Sequence, residues 1–289
     1  MKKEAINYRN AEVNGINIFY REAGATDAPA ILLLHGHSTS SHMFRNLIPI
    51  LSEKYHVIAP DMPGFGYSDQ RDHQSFQYTF DNLALHIQGF IDQLGLKRFA
   101  LYVFDFGAPV GFRIAVANPE KITGIITQNG NVYEEGLTEG WKPIQKYWGE
   151  PTLENRNALS VMTEAGAAKW QYVTGVNDET LIAPESYTLD QYFLAKEGKA
   201  DILLDLLKDY ANNVKRYPTF HNYFREKQPP LLAIWGNKDP FLLTAGAEAF
   251  KKDNPNAIVH FLNTGHFALE THVQEIGEEI KAFLVTLPR

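Results

Sequence analysis

Six short, nearly unbroken apolar runs constrain this chain more than any other feature: Ala30-Leu34, Val57-Ala59, Phe99-Phe104, Ile122-Thr127, Leu231-Trp235 and Ile258-Leu262. A strand open to water on one face alternates apolar with polar residues. A run that is apolar at almost every position is one covered on both faces, as in a parallel sheet. Helical patterns separate most of the runs, at about Ser41-Glu53, Thr79-Leu94, Ala108-Asn118, Thr244-Lys252 and Ala268-Leu284. Upstream, two alternating runs between Ala5 and Tyr20 flank Asn14-Gly15, a pair that takes the positive φ of a tight hairpin turn. The whole predicts an α/β protein with a mostly parallel, doubly wound sheet and ligands at the carboxyl ends of its strands.

The alternation stops from about Tyr133 to Pro218, where the sequence turns helical, polar and aromatic and holds Trp141, Trp148 and Trp170. We read 133–218 as a helical lid inserted between two parts of one core, 1–132 and 219–289. At 289 residues the chain is long enough for that core and its insert. The lid's aromatics are expected to enclose an apolar pocket, although the insert's own core would also use such residues.

Composition narrows the function classes. With 34 acidic against 27 basic residues, a formal net charge of −7 and no basic run longer than two, nucleic acid and anionic membranes are poor partners. The absence of cysteine removes disulfides, thiolate metal sites and a cysteine nucleophile. Met1-Lys2-Lys3-Glu4 leads into the first strand pattern without the apolar stretch of a secretory signal, and no window approaches the ~20 apolar residues of a membrane span. The expectation is a cytoplasmic protein of open oligomeric state.

The chemistry centres on Leu101-Tyr-Val-Phe-Asp105-Phe-Gly107-Ala-Pro-Val-Gly111, an apolar strand running into a helix through small residues. This is the strand-turn-helix context of a nucleophile elbow, with Asp105 at its tip. A carboxylate placed there can displace a leaving group at carbon and form an ester; taken alone, it could equally be a helix N-cap. Two distant features weigh for chemistry. Asp239 follows the apolar run Leu231-Trp235, and His266 follows the last run in Asn263-Thr-Gly-His266, giving nucleophile, acid and histidine in order at strand ends. The histidine would take a proton from water and the acid would fix its tautomer. Asn129, Asn131, Glu134 and Glu135 stand at another place for the acid, and position after the resumed core strand favours Asp239.

In Leu34-His35-Gly36-His37, the glycine lets the backbone turn so that the His37 N–H joins that of Phe106 around a developing negative charge. His35 is expected to tie neighbouring loops. His35, His37 and His42 could instead suggest a metal cluster, but the aspartate and histidine companions of binuclear hydrolases are missing, so neither metal nor cofactor is expected.

With these residues in place, the chain resembles the haloalkane dehalogenase and epoxide hydrolase branch of the α/β-hydrolases over essentially its whole length. The matching motifs are His35-Gly36-x-x-Thr-Ser-Ser, Asp61-Met-Pro-Gly-Phe-Gly-Tyr-Ser-Asp69, Asp105-Phe-Gly, Trp235-Gly-Asn-Lys-Asp239-Pro and Gly265-His266. The resemblance implies the α/β-hydrolase fold and an alkyl-enzyme ester on Asp105, hydrolysed by water that His266 activates with Asp239 behind it. The departures bear on substrate. Phe106 replaces the tryptophan whose indole helps hold halide in many haloalkane dehalogenases, and His37 replaces an asparagine. Haloacetate dehalogenases carry arginines beside the nucleophile, where this chain has Phe106 and Pro109.

Epoxide hydrolases use two lid tyrosines as proton donors. Here Ile144 stands where the first is expected, with Tyr147 one turn on and Trp148 beside it, and Tyr210 is the candidate for the second. A lid rich in tyrosine without the halide-binding indole favours a small hydrophobic epoxide, with water as co-substrate and a haloalkane as alternative. Other classes remain: esterase-like or lyase use of the triad, and a non-catalytic small-molecule receptor on the same fold.

Overall fold

The computed structural model describes residues 5–288, so Met1-Lys2-Lys3-Glu4 lies outside the described residues. Its centre is an eight-stranded sheet: β1 (Asn7–Val13), β2 (Ile16–Ala23), β3 (Ala30–Leu34), β4 (His56–Pro60), β5 (Phe99–Phe104), β6 (Ile122–Gln128), β7 (Leu231–Gly236) and β8 (Ile258–Leu262). The spatial order is β1-β2-β4-β3-β5-β6-β7-β8. The hairpin β1-β2 and the β2-β4 pair are antiparallel, and every other pairing is parallel. Asn14 and Gly15 both take positive φ at the hairpin turn, as its Asn-Gly sequence requires.

Five of the six apolar runs are largely covered on both faces; the sixth, β8, is an edge strand and departs from that expectation, with Ile258 55% and Phe261 38% exposed. Leu101 and Val103 of β5 join one core, whereas Ala100, Tyr102 and Phe104 join the other, because successive side chains of a strand point oppositely. The helices are α1 (Ile48–Leu51), α2 (Phe80–Gln93), α3 (Gly107–Ala117), α4 (Lys142–Gly149), α5 (Leu153–Asn157), α6 (Ala167–Val173), α7 (Pro184–Leu194), α8 (Lys199–Lys227), α9 (Thr244–Asp253) and α10 (Ala268–Val285). The first core holds the buried faces of α2, α3 and α8, and the second those of α1 and α10. No helix among the described residues is long and apolar enough to cross a membrane.

Two expectations need correction. The stretch Ser41-Glu53 is not one helix but a 3-10 turn at Ser41–Phe44 followed by the short α1. Pro49 occupies the start of α1, where its missing N–H costs nothing, so the helix begins there instead of running through it. The lid boundary at 218 falls inside α8, which continues for nine residues beyond Pro218 to Lys227. Pro218 forfeits one ladder hydrogen bond, but Phe220 and Phe224 pack on Phe112 of α3, with ring centroids 5.9 and 5.3 Å apart. That burial favours continuation. Residues of α4 to α8 thus lie between β6 and β7, and α8 belongs to both the insert and the core.

The β5-α3 turn depends on a close approach. A Cβ on Gly107 would sit 2.4 Å from the Leu34 carbonyl oxygen at the end of β3. Gly107→Ala is therefore expected to destabilise the fold by about 2 kcal/mol or more, since backbone must move, as read from denaturant unfolding.

Candidate active site

β5 delivers Asp105 at its carboxyl end, and α3 starts two residues later, after Phe106 in helical conformation. Asp105 has φ 46°, a left-handed conformation uncommon outside glycine, and its carbonyl accepts from the Ala108 N–H at 2.9 Å. The strained turn lifts the carboxylate above the sheet and aims the next backbone N–H back at it. Gly36 clears the other side, because a Cβ there would come within 2.5 Å of Asp105 Oδ1. The His37 N–H donates to Oδ1 at 2.7 Å and the Phe106 N–H donates to the same carboxylate. Both expected oxyanion donors thus already face Asp105. Its Oδ2 lies 3.8 Å from His266 Nε2.

β7 and β8 bring the remaining partners. Asp239 Oδ2 lies 2.6 Å from His266 Nδ1 and accepts from Asn129 Nδ2 at 2.6 Å. Its Oδ1 accepts from the N–H groups of Phe241 (2.7 Å) and Leu242 (3.1 Å). So fully bonded an acid is fixed in place, and it holds the proton of neutral His266 on Nδ1, which turns the Nε2 lone pair toward Asp105. Asn129, which follows β6, is a support rather than the acid: its Oδ1 accepts from the Gly236 N–H at 3.0 Å while its amide reaches Asp239. Asn131 caps its own turn, bonding the Tyr133 carbonyl at 2.7 Å. Glu134 and Glu135 are exposed, and Glu135 pairs with Lys252.

Burial sets the proton affinities. Desolvation disfavours the imidazolium of His266, but the Asp239 and Asp105 carboxylates outweigh it and raise the pKa above the ordinary histidine value. At Asp105, desolvation raises the pKa, opposed by His266 and by the His37 and Phe106 N–H groups. His37 is pushed down to about 3, first by burial and then by Lys199 and His266, so its ring is neutral near pH 7. His35 falls to about 4, chiefly through burial. Its Nδ1 pairs with the Gly36 carbonyl at 2.9 Å and its Nε2 accepts from the Met62 N–H at 3.0 Å. Both ring nitrogens are therefore occupied in tying loops, and a His-x-His metal site has no free His35 ligand.

A cavity of about 490 Å³ lies over the site, reached by His37, Asp105, Phe106 and His266 from the core and by Trp141, Ile144, Leu159, Met162, Trp170 and Gln171 from the insert. Tyr147, Trp148 and Tyr210, expected at the pocket, are not among its lining residues. The Tyr147 hydroxyl accepts from Arg156 at 3.2 Å, and the Trp148 indole donates to the Leu207 carbonyl at 2.7 Å. Tyr210 stands one layer back, its ring 4.5 Å from that of Trp141 and 5.9 Å from that of Phe106. Each found a better partner within the insert than in the cavity. Gln171 is the neighbour that motif reasoning missed, since nothing in its local sequence marks it.

A family model described as the alpha/beta hydrolase fold matches residues 29–273. An uncharacterized hydrolase of Saccharomyces cerevisiae is 45% identical over 272 residues, covering 92% of this chain and 93% of the relative. A haloalkane dehalogenase of Psychrobacter cryohalolentis is 25% identical over 291 residues, covering 97% and 91%. Among solved structures, the haloalkane dehalogenase DbeA from Bradyrhizobium elkani superposes with a TM-score of 0.81 at 23% identity, covering 97% of this chain and 98% of that one.

The bonds made by Asp239 imply a direct test of its part. Asp239→Asn keeps the shape but presents the wrong partner to His266 Nδ1, so turnover is expected to fall by roughly two orders of magnitude or more in steady-state kinetics, while Glu134→Gln leaves it unchanged.

Proposed function

Because this chain belongs to the α/β hydrolase fold family, in its haloalkane dehalogenase branch, we propose that it hydrolyses a small uncharged substrate at carbon, through an ester on Asp105, and that the substrate is an epoxide. One observation carries the reading. Asp105 Oδ1 is engaged by the His37 N–H, whereas Oδ2 faces His266 Nε2 at 3.8 Å in a largely apolar cavity. Oδ2 is thus the free nucleophile. It bonds to the substrate carbon as the bond to the leaving atom breaks, the electron pair going to that atom. Water then adds to the Asp105 carboxyl carbon while His266 takes its proton. The resulting oxyanion stays on Oδ1, to which the His37 N–H already donates, with the Phe106 N–H on the same carboxylate.

Proton balance favours the epoxide. The Asp239 and Asp105 carboxylates beside it raise the proton affinity of His266 above that of an ordinary histidine, which favours its imidazolium as an acid. Opening an oxirane produces an alkoxide, far more basic than imidazole, and the imidazolium can supply its proton. That step leaves a neutral ester and a neutral imidazole, the form needed to deprotonate water, and hydrolysis restores both starting charges. No proton has to leave the site. This assigns the acid's part to His266, with no tyrosine on the cavity wall. A halide would take no proton, so the imidazolium would first have to lose one to solvent. The second reading, a haloalkane substrate, is favoured by the haloalkane dehalogenase of Psychrobacter among its relatives and by the neutral ring of His37 in the cavity, which has no hydrogen-bond partner among the described residues.

A screen of aryl epoxides, bromoalkanes and simple esters on wild type and Asp105→Ala separates the readings, with turnover expected for epoxides and lost in the variant. In His266→Gln the ester should accumulate, seen as added mass on the peptide containing Asp105. It should form slowly with an epoxide, whose acid is gone, and undiminished with a bromoalkane. Wild-type turnover in heavy-oxygen water should label the Asp105 carboxylate. An active substrate with Asp105 unmodified in the first experiment and unlabelled in the second would sink the ester.

The pH profile tests the proton balance separately. The kcat/KM for an epoxide should fall at low pH as Asp105 is protonated, and again at high pH as His266 loses its proton, with an alkaline limb above the ordinary histidine value of about 6.5. With a bromoalkane the alkaline limb should vanish, because opening then needs only the carboxylate.

A further inference from the structure

The His37 ring is 5% exposed, lines the cavity, and has both nitrogens without a hydrogen-bond partner among the described residues. A buried imidazole with nothing to bond costs stability, so its presence calls for a ligand. One neutral N–H is nonetheless a thin provision for an atom gaining a full negative charge. Phe106 offers no side-chain donor, and the Trp141 indole is already given to the Phe241 carbonyl at 2.9 Å.

The cavity wall contains one more buried amide. Gln171 on α6 is 3% exposed, and its Oε1 accepts from Ser38 Oγ at 3.3 Å. That bond holds the amide beside the residue that follows His37, at the wall of the cavity. We propose that Gln171 is the second leaving-atom donor, closing with the His37 ring a two-donor site, one half from the core and one from the lid. The atom it holds is the oxirane oxygen or a departing halide, the shared chemistry being an acceptor that gains negative charge as the Asp105 ester forms. Docking of the lid through Ser38 and assembly of the site are then one event. The proposal rests on the ester reading of Asp105.

The test uses His266→Gln as a single-turnover trap, timing Asp105 alkylation by intact mass with an aryl epoxide and with matched chloro-, bromo- and iodoalkanes. Adding Gln171→Met, which keeps shape and removes the N–H, is expected to slow alkylation roughly 100-fold. The loss should grow from iodide to bromide to chloride, as the leaving atom needs more help. Gln171→Leu should give the same order, and thermal melting should show both variants folded. An unchanged rate, or a loss equal across leaving atoms, would overturn the proposal and reduce Gln171 to a lid contact with Ser38. If the trap with Gln171 intact gains no mass from any electrophile, the Asp105 reading fails first, and the proposal falls with it.

Discussion

The site depends on how closely the ends of β3 and β5 approach each other. Gly107 lies against the Leu34 carbonyl and Gly36 against the Asp105 carboxylate, with no room for a Cβ at either position. That contact bends the chain after Phe104 into a positive φ at Asp105 and brings the His37 and Phe106 N–H groups to the carboxylate. A strained non-glycine residue persists only where its surroundings over-determine it, and here two strand ends and the start of α3 do so. The strain is the cost of holding one carboxylate oxygen while leaving the other exposed to the cavity.

From that geometry follows an unusual charge arrangement. Asp105, His266 and Asp239 place two carboxylates on either side of one imidazole, with the rings of Phe104, Phe241 and Phe267 packed 4.6, 5.4 and 5.3 Å from it. Low polarity lengthens the reach of each charge, so chemistry at Asp105 is felt at His266. In the proposed reaction an ester on Asp105 would remove that charge, and with it part of what raises the proton affinity of His266. Under that proposal the same histidine would act as acid before the ester forms and as base afterwards. Asp239 cannot drift during this change, because its two oxygens share four partners.

Much of this was legible in the residues. The apolar runs marked the strands because burial on both faces leaves no place for alternation, and Ala30–Leu34 and Phe99–Phe104 coincide with strands end to end, as does Ile258–Leu262 although it lies half-exposed at the sheet edge. The elbow was legible because a strand, a lone carboxylate and small residues in succession leave few other conformations. The lid was harder to read. Its Trp and Tyr residues share one composition whether they face a cavity or each other, and Tyr147, Trp148 and Tyr210 face partners within the protein. Pro218, the expected end of the insert, sits within α8, since the buried faces of Phe220 and Phe224 outweigh one lost hydrogen bond.

What the sequence by itself determined is therefore the sheet, the order of Asp105, Asp239 and His266, and the absence of thiol chemistry, because periodicity and strand-end position are local properties of a chain. What only the tertiary structure decided is which side chains meet across long separations. Asn129 reaches Asp239 over 110 residues, Gln171 reaches Ser38 over 133, and the ring of His37 has no hydrogen-bond partner among the described residues, in a cavity shared by the core and the inserted helices. No local pattern encodes such meetings. They arise when the packing of α6 and α8 against the core fixes which polar atoms are bonded and which are left for a substrate.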